Sequence, residues 1–216
     1  EGAGDMDSRA FAEARDGLAA EFGFDANADS VNVSARFLTE NRDQAIALLR
    51  EALVNPRFDQ SAIDRVREQV LSNLRSDEKD PDTLASRSFY QLAFGDHPYG
   101  STGDGTIETV TALTRDDIIA AHKGALARDR IYVAAAGDIT AEDLGALLDT
   151  LFGDLPATGT PLPTRAPWAL EPGVNVIDFP TPQSTVLFGH IGIPREDPDF
   201  FAAFILNEAL GGGRFT

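Results

Sequence analysis

Apolar and polar residues recur along this chain with two different periods, and the periods predict both helices and strands. Apolar residues spaced three or four positions apart indicate amphipathic helices in seven stretches. Most of these stretches begin beside Asp, Ser, Thr or Pro, which are typical of helix N-termini. The predicted helices start near Asp7, Ile46, Ser61, Pro81, Thr114, Thr140 and Pro198.

A period of two predicts the strands. Alternation over residues 31–37 is typical of a half-buried strand, and residues 21–30 are predicted to form its hairpin partner. The apolar run at residues 131–136 predicts a short central strand. Residues 174–179 and 185–193 predict two further strands.

The order of these elements predicts an α+β fold. Strands and helices mix without a strict strand–helix–strand rhythm, which favours a two-layer domain with a mostly antiparallel sheet and helices packed on one face. A segment rich in Pro, Thr and Gly is typical of a linker. We therefore predict a first domain at 1–155 whose N-terminal part is missing, a linker at 156–172, and the beginning of a second, truncated domain at 173–216.

Composition and charge exclude several classes of function. The net charge is −17, so the basic surface that nucleic-acid binding needs is not expected. No apolar run is long enough for a membrane span. The chain has no Cys, which excludes disulfides and thiolate metal sites. No signal peptide is visible, and the compartment stays open.

Few residues suggest chemistry. No motif for a serine nucleophile, a phosphate-binding loop or a dinucleotide occurs, and no catalytic residue is predicted. The three histidines have no zinc-ligand spacing. We interpret His97 as a turn residue, His122 as a residue at the boundary of a helix, and His190 as a core or edge residue of a strand. Gly211, Gly212 and Gly213 form a glycine-rich loop, and such a loop either ends a helix or contacts an extended peptide.

Six segments, in order, resemble the insulinase, pitrilysin and mitochondrial-processing-peptidase family of zinc peptidases. Together they cover most of the chain, and the opening EGAGDMD and the later LNEALGGG look most like bacterial non-catalytic members of that family. The segments are EGAGDMDSRAFAEA, ENRDQAIALLREALVNPRFD, SAIDRVREQVLSNLRSDEKDPD, LAFGDHPYGSTGDGT, DRIYVAAAGDITAEDLGALLDTLFGDLP and DPDFFAAFILNEALGGGRFT.

The resemblance implies tandem α+β domains that enclose a chamber for extended peptides. Active members carry HxxEH on a helix that would lie before Glu1, and a glutamate on the helix matched by residues 61–76 is their third zinc ligand. The corresponding position is Asn73, and the supporting acidic position is Val66. No pair of acidic residues seven apart occurs in that helix, so a shift of register does not restore the ligand.

The resemblance therefore predicts a non-catalytic subunit, or an inactive-type half, of a zinc peptidase. It predicts no cofactor in this chain, zinc in a homologous catalytic partner, and a heterodimer or homodimer that holds an extended peptide through Gly211–Gly213. An Arg/Tyr pair that orients substrate would lie beyond Thr216. Bacterial members of this kind are often exported, which makes a periplasmic location an expectation. Two alternatives stay open: an active zinc endopeptidase whose HxxEH lies outside these residues, and a scaffold without a peptidase partner.

Overall fold

Helices dominate the computed structural model, which describes residues 2–212. Within that range one antiparallel hairpin stands among eight α-helices, and the predicted α+β class is confirmed. In chain order the elements are α1 (Ser8–Gly17), β1 (Glu21–Ala26), β2 (Val31–Arg36), α2 (Arg42–Val54), α3 (Gln60–Asp77), α4 (Pro81–Phe94), α5 (Ile107–Ala112), α6 (Arg115–Ala125), α7 (Ala141–Phe152) and α8 (Phe200–Asn207).

Side-chain caps start several helices where the sequence predicts them. The Asp7 carboxylate accepts a hydrogen bond of 2.8 Å from the backbone N–H of Ala10 in α1. At α6, the Thr114 hydroxyl accepts from the N–H of Asp117, and the Asp117 carboxylate accepts from the N–H of Thr114 at 2.8 Å. At α7, the Thr140 hydroxyl accepts from the N–H of Asp143 at 3.1 Å. These bonds satisfy N–H groups that the first turn of a helix leaves without a partner.

The main core joins α2 to α7. Ile46, Leu49 and Leu53 of α2 pack with Leu151 of α7, and partly buried aromatic and aliphatic side chains surround them. Arg50 reinforces the junction, because its Nε donates to the carbonyl of residue 150 at 3.2 Å. The contact brings together residues about a hundred positions apart in the chain.

A second cluster fixes α3. Leu71 and Leu74 of α3 are buried against Val110 of α5, with Val70 and Ile107 beside them. The cluster occupies one side of α3 and leaves the other side free to carry exposed residues. In the described range, each helix is too short or too polar to cross a lipid bilayer.

The sheet is smaller than predicted. β1 and β2 pair antiparallel from Glu21 with Arg36 to Ala26 with Val31, and every residue of β2 is exposed rather than half-buried. The strands predicted at 131–136, 174–179 and 185–193 are wrong for this structure, because these segments have no strand partner among residues 2–212. Most of their apolar residues are exposed, among them Tyr132 at 97%, Val174 at 90% and Phe188 at 88%.

The reason is that alternation sets only the direction of side chains. A strand also needs a neighbouring chain that takes its backbone hydrogen bonds. Between α7 and α8 the described chain contains no helix or strand, and it contacts α4 through a 3.0 Å bond from Asn175 to Ser88. The division into domains at 1–155, 156–172 and 173–216 stays a prediction.

Candidate functional site

Helix α3 carries the two positions that the family resemblance singles out. Its buried side holds Ile63, Leu71 and Leu74, while Val66 and Asn73 are both exposed. The two positions lie seven residues apart, which is about two helical turns. The structure therefore places them on the part of α3 that packing does not use.

Asn73 already has a partner on its own helix. The Nε2 of Gln69 donates a hydrogen bond of 3.1 Å to the Oδ1 of Asn73, a pairing typical of residues four apart. The side chain of Val66 has no atom that can coordinate a metal ion. An amide oxygen is a weak zinc ligand compared with a carboxylate or an imidazole. The side chains at these two positions therefore do not fit a zinc site.

A metal site elsewhere in the described residues would need several ligating side chains close together. Between residues 2 and 212 there is no group of three His, Cys, Asp or Glu side chains placed to hold an ion. The assignment of Asn73 and Val66 to former ligand and supporting positions stays a prediction.

The glycine-rich loop follows α8. Gly211 has φ of 127°, a conformation that side chains other than glycine's rarely allow, within the turn Glu208–Gly212. Gly212 ends the described range, and Gly213 lies outside it. The substrate-binding role of Gly211–Gly213 stays a prediction.

His97 lies in a turn, as the sequence predicts, and it makes one local hydrogen bond and one to a distant segment. Its Nδ1 accepts a hydrogen bond from the N–H of Tyr99 at 3.2 Å, and its Nε2 lies 2.9 Å from the carbonyl of Thr164. Tyr99 in turn donates to the carboxylate of Asp29 at the tip of the hairpin. This hydrogen bond raises the pKa of Tyr99. The turn therefore joins the hairpin to the segment after α7.

His122 is partly buried in α6, as predicted for a boundary residue. Its ring meets the ring of Phe58 edge-on, with the centroids 5.5 Å apart. Burial lowers the pKa of His122; a hydrogen bond with the backbone of Leu53 opposes the shift, and the charge of Lys123 adds to it. By contrast His190 is exposed in an unpaired segment, and its predicted place in a strand is wrong.

Sequence reasoning missed the turn that precedes α3. Phe58 has a left-handed backbone with φ of 49°, which a bulky side chain adopts only under constraint. Arg115 of α6 supplies that constraint, because its Nε donates to the carbonyl of Phe58 at 2.9 Å and its Nη2 to that of Arg57 at 3.1 Å. No sequence signal marks such a turn, since the constraint comes from an arginine 57 residues away.

Comparisons with known proteins show what the chain is similar to. A family model described as "Peptidase M16 inactive domain" matches residues 112–216. The chain is 28% identical over 172 residues to a probable mitochondrial-processing peptidase subunit beta of Schizosaccharomyces pombe. This match covers 77% of the chain and 38% of the relative. It is 27% identical to the non-peptidase homolog YmxG of Helicobacter pylori, over 72% of the chain and 36% of the relative.

A solved structure is similar over the whole chain. The peptidase M16 inactive domain from Pseudomonas fluorescens superimposes with a TM-score of 0.87 at 28% identity, and the match covers all of this chain and 53% of the other. The chain spans about two fifths of the length of the curated relatives it matches.

Proposed function

Because this chain belongs to the peptidase M16 family and resembles its inactive domains, we propose that it acts as a non-catalytic half of a zinc peptidase. In this role it closes a peptide-binding chamber against a homologous partner that carries the zinc. This chain lines the chamber and holds the peptide, and the partner contributes the zinc and the catalytic groups.

The observation that carries the proposal is the state of α3. The amide oxygen of Asn73 accepts a hydrogen bond from Gln69, and Val66 presents only methyl groups. A ligand helix of an active enzyme needs a carboxylate to hold the metal and a polar group beside it to orient that carboxylate. Neither group stands at these positions, so α3 supports a structural role and not a catalytic one.

The partner is inferred from relatives. One relative is named as the beta subunit of a processing peptidase and another as a non-peptidase homolog. A chain without its own zinc ligands gains a role in proteolysis when a second chain supplies them. We therefore propose a homologous subunit as partner, zinc in that partner, and an extended peptide as substrate that Gly211–Gly213 help to hold.

The test uses the complete gene product and a homologue that carries HxxEH. Each protein is assayed for zinc content and for cleavage of an extended fluorogenic peptide, alone and mixed. We expect zinc in the homologue only, and strong cleavage only in the mixture. As a control, replacing the motif's glutamate by glutamine in the homologue abolishes the cleavage.

Two outcomes contradict the proposal. Cleavage by the complete gene product alone, with one zinc per chain that Asn73→Ala removes, would make it an active endopeptidase. Normal folding with no activity in any mixture and no association with the homologue would make it a scaffold.

A further inference from the structure

A pocket of about 450 Å³ opens beside Val66, between α3, α5 and α6. Its size lies within the range of about 300–1,000 Å³ that is usual for small-molecule sites. The wall is almost entirely apolar, and it joins the exposed Val66 to Ile63 and Val70 on the packed side of α3. The principal apolar side chains in the wall are Phe58, Ile63, Val66, Val70, Leu113 and Ile118.

The wall is held in shape before any ligand arrives. Phe58 keeps its left-handed backbone because Arg115 bonds the carbonyls on both sides of the turn, and His122 packs against its ring. Strained residues that the surrounding structure holds in place are often found at ligand sites. A wall that is ordered before binding lowers the entropic cost of binding.

Two charged side chains line the pocket, and only one of them is neutralised. Arg67 donates to the carboxylate of Asp64 at 2.9 Å and to the carbonyl of Leu113 at 2.7 Å, so its guanidinium is already satisfied. Asp104 is exposed, and it forms no ion pair with any cation of residues 2–212. The pocket therefore combines an apolar interior with one uncompensated negative charge.

We propose that this pocket binds an apolar group that ends in a cationic nitrogen. The apolar body fills the space beside Val66 and Val70, and the nitrogen lies near the carboxylate of Asp104. The net charge of −17 favours the approach of such a cation to the chain. This binding is independent of the proposed role in proteolysis, because it requires no partner and no zinc.

The same chemistry is found in a free organic amine and in a peptide whose apolar residue is followed by a basic one. Four probes distinguish these sources: hexylamine, hexan-1-ol, hexanoate, and N-acetyl-leucyl-arginine amide. Their affinities for the complete gene product are measured from chemical-shift changes in NMR titrations. A tighter peptide identifies the peptide source, and a tighter amine identifies the free ligand.

We expect hexylamine to bind about threefold tighter than hexan-1-ol, in keeping with the modest strength of an exposed ion pair, and hexanoate to bind most weakly. Asp104→Asn should make hexylamine and hexan-1-ol equal. Val66→Trp should fill the pocket and abolish binding of all four probes. Val176→Trp adds the same ring at an exposed position outside the pocket and should leave every affinity unchanged.

Three results would overturn the proposal. The first is equal affinity of hexylamine, hexan-1-ol and hexanoate for the unmodified protein. The second is binding that survives in a folded Val66→Trp variant. The third is a preference for hexylamine that persists in Asp104→Asn, a change at an exposed carboxylate that leaves the packing intact.

Discussion

At the scale of single residues, the proposed non-catalytic role rests on the chemistry of two side chains of α3. An asparagine is one methylene shorter than a glutamate, and its amide oxygen binds zinc far less strongly than a carboxylate does. Asn73 is exposed and bonded to Gln69, so it stabilises no buried structure. Its assignment to a former zinc-ligand position stays a prediction that rests on the family resemblance.

His122 should make stability depend on pH. Burial lowers its pKa, so the folded protein keeps the ring neutral at a pH where the unfolded chain, with an ordinary pKa near 6.5, already binds a proton. The contribution of the neutral ring to the stability of the fold is complete above about pH 6.5. It is lost as the pH falls toward the lower pKa of the folded state. The free energy of unfolding, measured in urea at pH 7.5 and at pH 5.5, should differ less between the two pH values in His122→Gln than in the unmodified protein.

The exposed His190 provides the matched control for this measurement. His190→Gln should keep the full difference in unfolding free energy between the two pH values. If His122→Gln also keeps it, the neutral buried ring is not the cause.

Gly211 offers a test of the glycine-rich loop. Alanine at φ of 127° is strained, so Gly211→Ala should shift the loop and raise KM for an extended peptide in the mixture with the catalytic homologue, with little change in kcat. Gly145 lies within α7 with open space around it. Gly145→Ala should leave KM unchanged and stabilise the protein by up to about 1 kcal/mol. An unchanged KM in Gly211→Ala would argue against a role in substrate binding.

At the scale of elements, local signals place the helices well. Each cap at Asp7, Thr114 and Thr140 lies where the sequence predicts it, because a cap depends only on residues within one turn. The hairpin of β1 and β2 was predicted for the same reason, since its partners are neighbours in the chain. Strands whose partners would have to come from distant segments were predicted wrongly.

Thr114→Ala should destabilise the protein by about 1 kcal/mol through the loss of the cap on α6. The hydrogen bond from Thr114 also lowers the pKa of Asp117. The ionised carboxylate therefore stabilises the fold above its unfolded pKa of about 3.9, and this contribution is lost as the pH falls below that value. Between pH 5 and pH 3, the melting temperature of Thr114→Ala should fall by less than that of the unmodified protein.

Thr111 is a suitable control because it is exposed within α5 and bonds only the carbonyl of Ile107. Thr111→Ala should change the unfolding free energy by no more than about 0.5 kcal/mol. Equal losses in the two variants would mean that the cap has no special role.

At the scale of the whole molecule, the main core connects distant parts of the chain. Leu151 of α7 is only 5% exposed and packs against α2. Leu151→Ala should lower the free energy of unfolding by about 2–5 kcal/mol, the range observed for buried leucines. Chemical denaturation at neutral pH measures the change.

Leu162 is 74% exposed and gives the comparison. Leu162→Ala should alter stability by less than about 0.5 kcal/mol. A loss of similar size in both variants would show that the segment after α7 is packed as tightly as the core.

The sequence alone determined what depends on near neighbours: the approximate starts of the described helices except α5, the β1–β2 hairpin and the α+β class. Tertiary structure decided what depends on distant segments. It left residues 131–136 and 174–193 unpaired, buried His122 against Phe58, and held the turn at 57–59 with an arginine from α6. The pocket beside Val66 belongs to the second group, because its walls come from three helices and the loops beside them, and no periodicity along the chain predicts that these segments meet.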